Sequence, residues 1–314
     1  MDFHHIPVMV DRIVDLFAPV PPGWVVDATV GGAGHATALL EAHTHLSVLG
    51  LDRDPFAVDV AEERLGRFGD RARVVHATFD ALGAIVDDAG IDVLSGALLD
   101  LGVSSPQLDT AERGFSYRQG GPLDMRMDPT QATTAADLVN ELPTADLSRI
   151  LSELGDERFA TRIARAIVAA RPLTNTTELA EVVRNAIPAP ARRRAGGDPA
   201  RRTFQALRIA VNAELDRIRP AMEEAIDRLT PLGRLAVLAY HSGEDRIVKD
   251  TLITHETGGC TCPPGLPCVC GAVPTIRRLR RGTWKSQATD IEANPRAEAA
   301  RLRAAERLAP EVLA

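Results

Sequence analysis

Along the first hundred residues the apolar positions alternate between two spacings. Residues 24–30 (WVVDATV), rich in β-branched residues, and Ser47 to Leu51, Arg73 to His76 and Val93 to Leu99 are short runs bounded by turn residues or acids. They predict four buried strands. Between them the apolar residues recur at helical spacing. Val8, Ile13, Leu16 and Phe17 mark a helix within 7–19, which Pro19, Pro21, Pro22 and Gly23 end. His35 to His43, Pro55 to Phe68 (with Ala57, Val60, Ala61 and Leu65 on one face) and Phe79 to Ala89 predict three more helices. Strands alternating with helices at this spacing predict an α/β fold with a parallel, doubly wound sheet.

The pattern then changes. Between Gly102 and about Arg202 no strand is predicted, only loops and helical stretches near 134–142, 145–154, 157–171 and 176–187. A proline- and arginine-rich link, IPAPARRRAGGDPARR, follows. A helix over 203–229, expected to kink or split at Pro220, restores the alternation. After it come a fifth strand, Gly233 to Tyr240, and a helix, Glu244 to Ile253. The expected organisation is an α/β core of residues 1–106 and 203–314 interrupted by an all-helical domain, 107–202.

Composition narrows the class. The chain has 314 residues, 45% of them apolar, enough for a substantial core. No apolar run of membrane-spanning length occurs, and the first residues lack the basic start and cleavage site of a secretory leader. A cytoplasmic location without a membrane partner is expected. The net charge of −7 argues against a protein that coats nucleic acid non-specifically. Local basic patches remain: Arg192, Arg193, Arg194, Arg201 and Arg202 in the link, and Arg277, Arg278, Arg280, Arg281 and Lys285 beside Trp284. Basic residues next to an aromatic suit phosphate contact with base stacking; a solvated charged surface is the alternative.

The first predicted strand runs into VVDATVGGAGH (residues 25–35), a glycine turn of the kind that holds nucleotide-like ligands. No GK[ST] follows, so it is no triphosphate loop, and Thr37 stands where a dinucleotide fingerprint needs its third glycine. Asp27, Asp52 and Asp100 all fall at predicted strand ends, where open α/β sheets bind ligands. Asp52 is placed to hold ribose hydroxyls. Asp27 and Asp100 would repel a pyrophosphate, whereas they suit S-adenosylmethionine, which carries a sulfonium and an ammonium and no phosphate.

Seven stretches carry a resemblance over most of the chain: HIPVMVDRIV (5–14), DATVGGAGHA (27–36), LGLDRDP (49–55), DLGVSSPQLDTAERGFSYRQGGPLDMRMDP (100–129), RTFQALRIAVNAEL (202–215), YHSGEDRIVK (240–249) and NPRAEAARLRAAER (294–307). On these the chain resembles the MraW/RsmH family of small-subunit ribosomal RNA (cytosine-N4)-methyltransferases. The resemblance implies a class I, Rossmann-like methyltransferase sheet with an inserted all-helical substrate domain. It also implies S-adenosyl-L-methionine as cofactor, N4 of one cytidine of 16S RNA as target, and small-subunit ribosomal RNA or the assembled small subunit as partner. It carries cofactor contacts onto Ala33, Gly34, His35, Asp52, Phe79, Asp100 and Gln107. Ala33 stands where the family commonly has glycine, and a positive φ there would strain it. A cytosine amino group needs an acceptor that orients it. Asp100 is the candidate catalytic residue, with backbone carbonyls near Ser105 and Pro106 as alternatives. A non-catalytic RNA-binding assembly factor on the same fold is the rival reading, and oligomeric state is left open.

Two features stand apart. His241-Ser242 suggests a hydrolase pair, but no nucleophile elbow is present; a role at the target site or a structural histidine is expected instead. Cys260, Cys262, Cys268 and Cys270 read C-x-C-x₅-C-x-C, tighter than the usual zinc knuckle. Four thiolates could hold a structural zinc ion; a reduced, mobile loop without metal is the expectation.

Overall fold

The computed structural model describes residues 7–194, 196–263 and 269–309. The first half of the sheet unit alternates as its hydrophobic pattern requires: α1 (Val10–Phe17), β1 (Gly23–Asp27), α2 (Gly34–Ala42), β2 (Leu46–Asp52), α3 (Pro55–Leu65), β3 (Ala72–His76), α4 (Leu82–Asp88) and β4 (Leu94–Asp100). β4, LSGALLD, is buried at every position but the last, Asp100, as expected of a central parallel strand covered on both faces. Asp54 opens α3: its side chain accepts the Phe56 N–H at 3.2 Å and Pro55 occupies the first turn.

Then come the helices α5 (Ser105–Asp109), α6 (Ala135–Glu141), α7 (Thr144–Gly155), α8 (Ala160–Ala169), α9 (Thr176–Ala186), α10 (Ala189–Arg194) and α11 (Arg201–Asn212). Then α12 (Glu214–Arg228), β5 (Leu229–Ala239), α13 (Ser242–Thr257), β6 (Ile276–Arg278), β7 (Trp284–Lys285), α14 (Ala288–Ala293) and β8 (Arg301–Arg307) return to the sheet. Among the described residues the sheet has eight strands in the order β3-β2-β1-β4-β5-β8-β6, with β7 paired to β8. β1 to β5 pair in parallel, and β8 runs antiparallel to β5, β6 and β7. The sheet is therefore mixed, not wholly parallel as expected. The order reverses between β1 and β4, which puts the topological switch point, and the crevice that goes with it, at the ends of those two strands.

Apolar cores cover both faces of the sheet. One gathers Leu82, Val86, Ile218, Met222, Val248 and Leu252 against Leu99 and Val237. The other gathers Ile13, Phe17, Leu39 and Leu65 against Val48, Leu98 and Leu238. At Gly96 a Cβ would meet the Phe17 ring at 2.3 Å, so only glycine lets α1 lie that close to β4.

Val103–Glu214 forms a compact helical unit with its own core, including Met125, Leu147, Leu151, Ile163, Leu179, Phe204 and Leu207. The expected boundaries, 107 and 202, fall short at both ends. The difference lies mainly in α11, whose Phe204, Leu207 and Val211 pack into the helical core rather than onto the sheet. The expected helix over 203–229 is broken at Ala213, which adopts a left-handed conformation (φ 47°), not at Pro220, which sits inside α12. Asn212 accounts for the break. Its amide accepts the Met127 N–H at 2.9 Å and donates to the Met125 carbonyl at 2.7 Å, fully buried. Among the described residues no helix is long and apolar enough to cross a membrane.

Candidate active site

Three parallel strands each end on an acid: β1 on Asp27, β2 on Asp52 and β4 on Asp100. Past β1 the chain stays bonded to the sheet, with Ala28 N–H donating to Leu98 at 2.8 Å and Val30 N–H to Leu51 at 2.8 Å. It then turns through Gly31 to Ala33 into α2. Asp52 ties that turn to the second strand: Oδ2 accepts the Gly31 N–H at 2.9 Å and Oδ1 the Asp54 N–H at 2.9 Å. Burial pushes the Asp52 carboxyl up to about 6, against the pull of these N–H donors. Asp27 is buried and accepts the Thr29 N–H at 3.3 Å. Burial pushes it further, to about 7; His35 opposes the shift, and Asp100 and Asp52 add to it.

Asp100 is held from three sides. Its N–H donates to Thr29 Oγ1 at 2.6 Å, its Oδ1 accepts the Tyr240 hydroxyl at 2.7 Å, and its Oδ2 lies 3.4 Å from His35 Nε2. Burial, and the Asp100 carboxylate beside it, hold the Tyr240 phenol well above its ordinary pKa. Tyr240 therefore stays a proton-bearing donor at neutral pH. His35, on the first turn of α2, is buried, and among the described residues neither ring nitrogen has a hydrogen-bond partner of good geometry.

Ala33, the N-cap of α2, has φ 58° and ψ 27°. The turn thus imposes the left-handed conformation that glycine adopts freely and alanine only with strain. For Ala33→Gly, relief of about 1–2 kcal/mol of strain is offset by about 0.8 kcal/mol for the buried methyl and about 0.4–1 kcal/mol of unfolded-chain entropy. Thermal unfolding of Ala33→Gly should match the parent to within about 1 kcal/mol, and a larger change of either sign would contradict the balance. Next to it, a Cβ on Gly34 would stand 2.4 Å from Pro7 Cγ.

Comparison with known proteins bears on this geometry. Residues 2–308 match the model of the MraW methylase family. The chain belongs to that family. It is 48% identical to Ribosomal RNA small subunit methyltransferase H of Heliobacterium modesticaldum, over 98% of this chain and all of that one. It is 51% identical to the protein of the same name from Thermobifida fusca, over 96% of this chain and 93% of the relative. The Geobacter sulfurreducens protein of that name is 49% identical, over 98% and 100%.

The chain is accordingly an S-adenosylmethionine-dependent methylase on a Rossmann-like α/β sheet. The crevice suits that cofactor. Burial opposes ionisation of Asp27 and Asp52, and a neighbouring sulfonium or ammonium would favour it, whereas a pyrophosphate would add repulsion.

Of the residues expected at the cofactor, the sheet unit brings together Ala33, Gly34, His35, Asp52 and Asp100. Phe79 follows β3 in a short 3-10 turn, half-buried and packed against the core. Gln107 belongs to the helical unit. There it is buried and closes the capping box of α5: Oε1 accepts the Ser104 N–H at 3.1 Å while Ser104 Oγ accepts the Gln107 N–H at 3.5 Å. Ser104 is thus a helix cap.

His241 has a structural task. It is the N-cap of α13, with Nδ1 accepting the N–H groups of Gly243 and Glu244 at 3.2 and 3.4 Å. Glu244, fully buried, accepts the N–H groups of Tyr240 and His241 at 2.7 and 3.2 Å, and its other oxygen lies 3.1 Å from His241 Nε2. With Nδ1 accepting, the neutral ring carries its proton on Nε2, towards Glu244. The Ser242 position begins the helix. The capping box fixes the backbone of Tyr240, and through it the hydroxyl on Asp100. Sequence reasoning missed Tyr240 and Glu244, although both lie in the quoted YHSGED stretch.

Beside Tyr240 a cavity of about 280 Å³ is lined by His241, Ser242, Lys285, Glu298 and Arg301 among others. The basic arm is partly neutralised. Arg277 pairs with Glu306 at 2.8 Å and Arg278 donates to Glu256 at 2.7 Å. Arg280 lies over the Trp284 ring at 5.9 Å, and Arg280, Arg281 and Lys285 are exposed. In the link, Arg192, Arg193 and Arg194 form the end of α10 and are largely exposed.

Proposed function

We propose that this methylase transfers a methyl group to N4 of one cytidine in the RNA of the small ribosomal subunit. The relatives' names support the RNA, and the seven matching stretches support the cytosine amino group. The observation that carries the reading is the Asp100 carboxylate, held at the switch point between Tyr240 and His35.

S-adenosylmethionine, when bound, supplies an electrophilic methyl group on a sulfonium. Asp52 would hold its ribose hydroxyls, the turn from Gly31 to His35 would pass along it, and Phe79 would lie against its adenine. The protein's own task is positioning. The N4 lone pair of cytosine is delocalised into the ring, so an acceptor on the amino group must turn it into the reactive geometry. Asp100 is that acceptor: Tyr240 fixes one carboxylate oxygen, and the other faces the crevice beside His35. The cavity beside Tyr240 would seat the target nucleotide, with Lys285 and Arg301 facing its phosphate. The base must be unstacked to enter.

The cellular test uses the organism's own 16S RNA. Deletion of the gene should remove an N4-methylated cytidine seen by nucleoside mass spectrometry. A copy carrying the parent chain should restore it, and a copy carrying Asp100→Ala should not. An unchanged nucleoside profile after deletion would overturn the substrate assignment.

A further inference from the structure

We propose that Cys260, Cys262 and Cys270 form a thiolate site for one structural zinc ion. The three Sγ atoms lie within 4.8 Å of one another, and Cys270 Sγ is 3.6 Å from Cys260 Sγ. A zinc–sulfur bond of about 2.3 Å gives a tetrahedron with sulfur–sulfur edges of about 3.8 Å. The Cys260–Cys270 pair is therefore already at the spacing that one tetrahedral ion imposes, and Cys262 Sγ lies within 4.8 Å of both. A lone pair at this distance is also a thiol hydrogen bond. A third sulfur converging on the same point is what a metal requires and a single hydrogen bond does not.

The surrounding chain behaves as a metal loop. The Val269 N–H donates to Cys262 Sγ at 3.5 Å, the kind of outer contact that orients a metal-binding sulfur. The Cys260 N–H donates to the Thr257 carbonyl at 3.2 Å, which ties the first cysteine to the end of α13. Gly258, Gly259 and Gly271 take left-handed conformations on either side of the cysteines. A Cβ on Gly258 would stand 2.5 Å from the Val273 backbone, so the two limbs of the loop touch. Below them the Thr275 N–H donates to the His255 carbonyl at 3.0 Å, and His255 Nδ1 lies 3.0 Å from Thr275 Oγ1. Both limbs are thus anchored on α13 by contacts that need no metal. Cys268 lies outside the described residues, and the three thiolates leave one corner of the tetrahedron to a further donor.

The site is structural by position. α13 has 16 residues, about 24 Å of helix. His241 caps it at the active-site end, and the cysteines follow its other end. Their loop leads directly into β6 and the exposed basic arm, Arg280 to Lys285. Zinc binding displaces the thiol protons to solvent and changes no oxidation state.

The full chain, purified without chelator and gel-filtered, should carry about one zinc per chain by elemental mass spectrometry. Cys260→Ser and Cys270→Ser should each bring the zinc close to zero while S-adenosylmethionine affinity stays at the parent value. Cobalt added to the metal-free parent chain should give the thiolate-to-metal charge-transfer band and the strong visible bands of a tetrahedral site. That spectrum tests the proposal even if a serine variant fails to fold. Two results would overturn it. One is no retained zinc and no such cobalt spectrum after loading under reducing conditions. The other is thiols that react with a disulfide reagent equally fast with and without excess zinc.

Discussion

Asp100→Asn is expected to lower turnover at saturating cofactor on the order of 100-fold. The variant keeps the shape of the side chain and its acceptor for the Tyr240 hydroxyl, so the loss falls on the charge and on the second oxygen, the one beside His35. The KM-against-kcat split is the readout. If Asp100 only bound cofactor, cofactor KM would rise and kcat would recover at saturation. A kcat that stays low places the carboxylate on the reacting amino group. Tyr240→Phe should show the same pattern with a smaller loss, because it leaves the Asp100 side chain in place but free to rotate.

The second large effect is on stability. Asp27 has its carboxyl raised from 3.8 to about 7, first by burial and then by Asp100 and Asp52, with His35 opposing. Its folded pKa lies above its unfolded one. Folding therefore carries no penalty from this group below pH 4, loses stability as pH rises from about 4 to 7, and bears the whole penalty above 7. At about 1.4 kcal/mol per pKa unit, the swing is on the order of 4 kcal/mol. Asp52, raised to about 6, adds to it in the same direction. Asp27→Asn removes the titration, and its new amide hydrogens need partners at about 1–3 kcal/mol. Relative to the parent, the variant should gain several kcal/mol between pH 5 and pH 8 in urea unfolding without cofactor. A difference between the two proteins that stays constant across that range would sink the idea. Saturating S-adenosylmethionine should shrink the parent's pH dependence, since a positive ligand repays ionisation of both acids.

Much of the fold was readable because parallel strands covered on both faces are compact apolar runs. β1, β2, β3 and β4 fell within a few residues of their expected places, and three of them end on the acids that form the crevice. β8 was not readable. RLRAAER is made of good helix formers, and it is a strand because β5 and β6 offer it a place between them. The break at Ala213 was equally hidden. It depends on Asn212 reaching Met125 and Met127, more than eighty residues away, whereas Pro220 is the local feature that draws the eye.

The site divides along the same line. Acids at strand ends announce themselves, because strand position alone decides where they point. Tyr240 does not, since its partner Asp100 is 140 residues away and a tyrosine at a strand end looks like core. His241 looks reactive in sequence, yet it spends its ring nitrogen on the first turn of α13, a task usually left to serine, threonine, aspartate or asparagine. The cysteines show the limit of spacing rules: C-x-C pairs sit outside the common knuckle pattern, and only the folded loop brings three of them to one point.

The central claim is that the Asp100 crevice methylates a cytidine amino group. The direct measurement is transfer of labelled methyl from S-adenosylmethionine to small ribosomal subunits from cells lacking the gene, followed by digestion and mass identification of the labelled nucleoside. The account predicts label in N4-methylcytidine with the parent chain and none with Asp100→Ala. Cofactor binding without transfer to subunits or to free small-subunit RNA, or label in any other nucleoside, would contradict it.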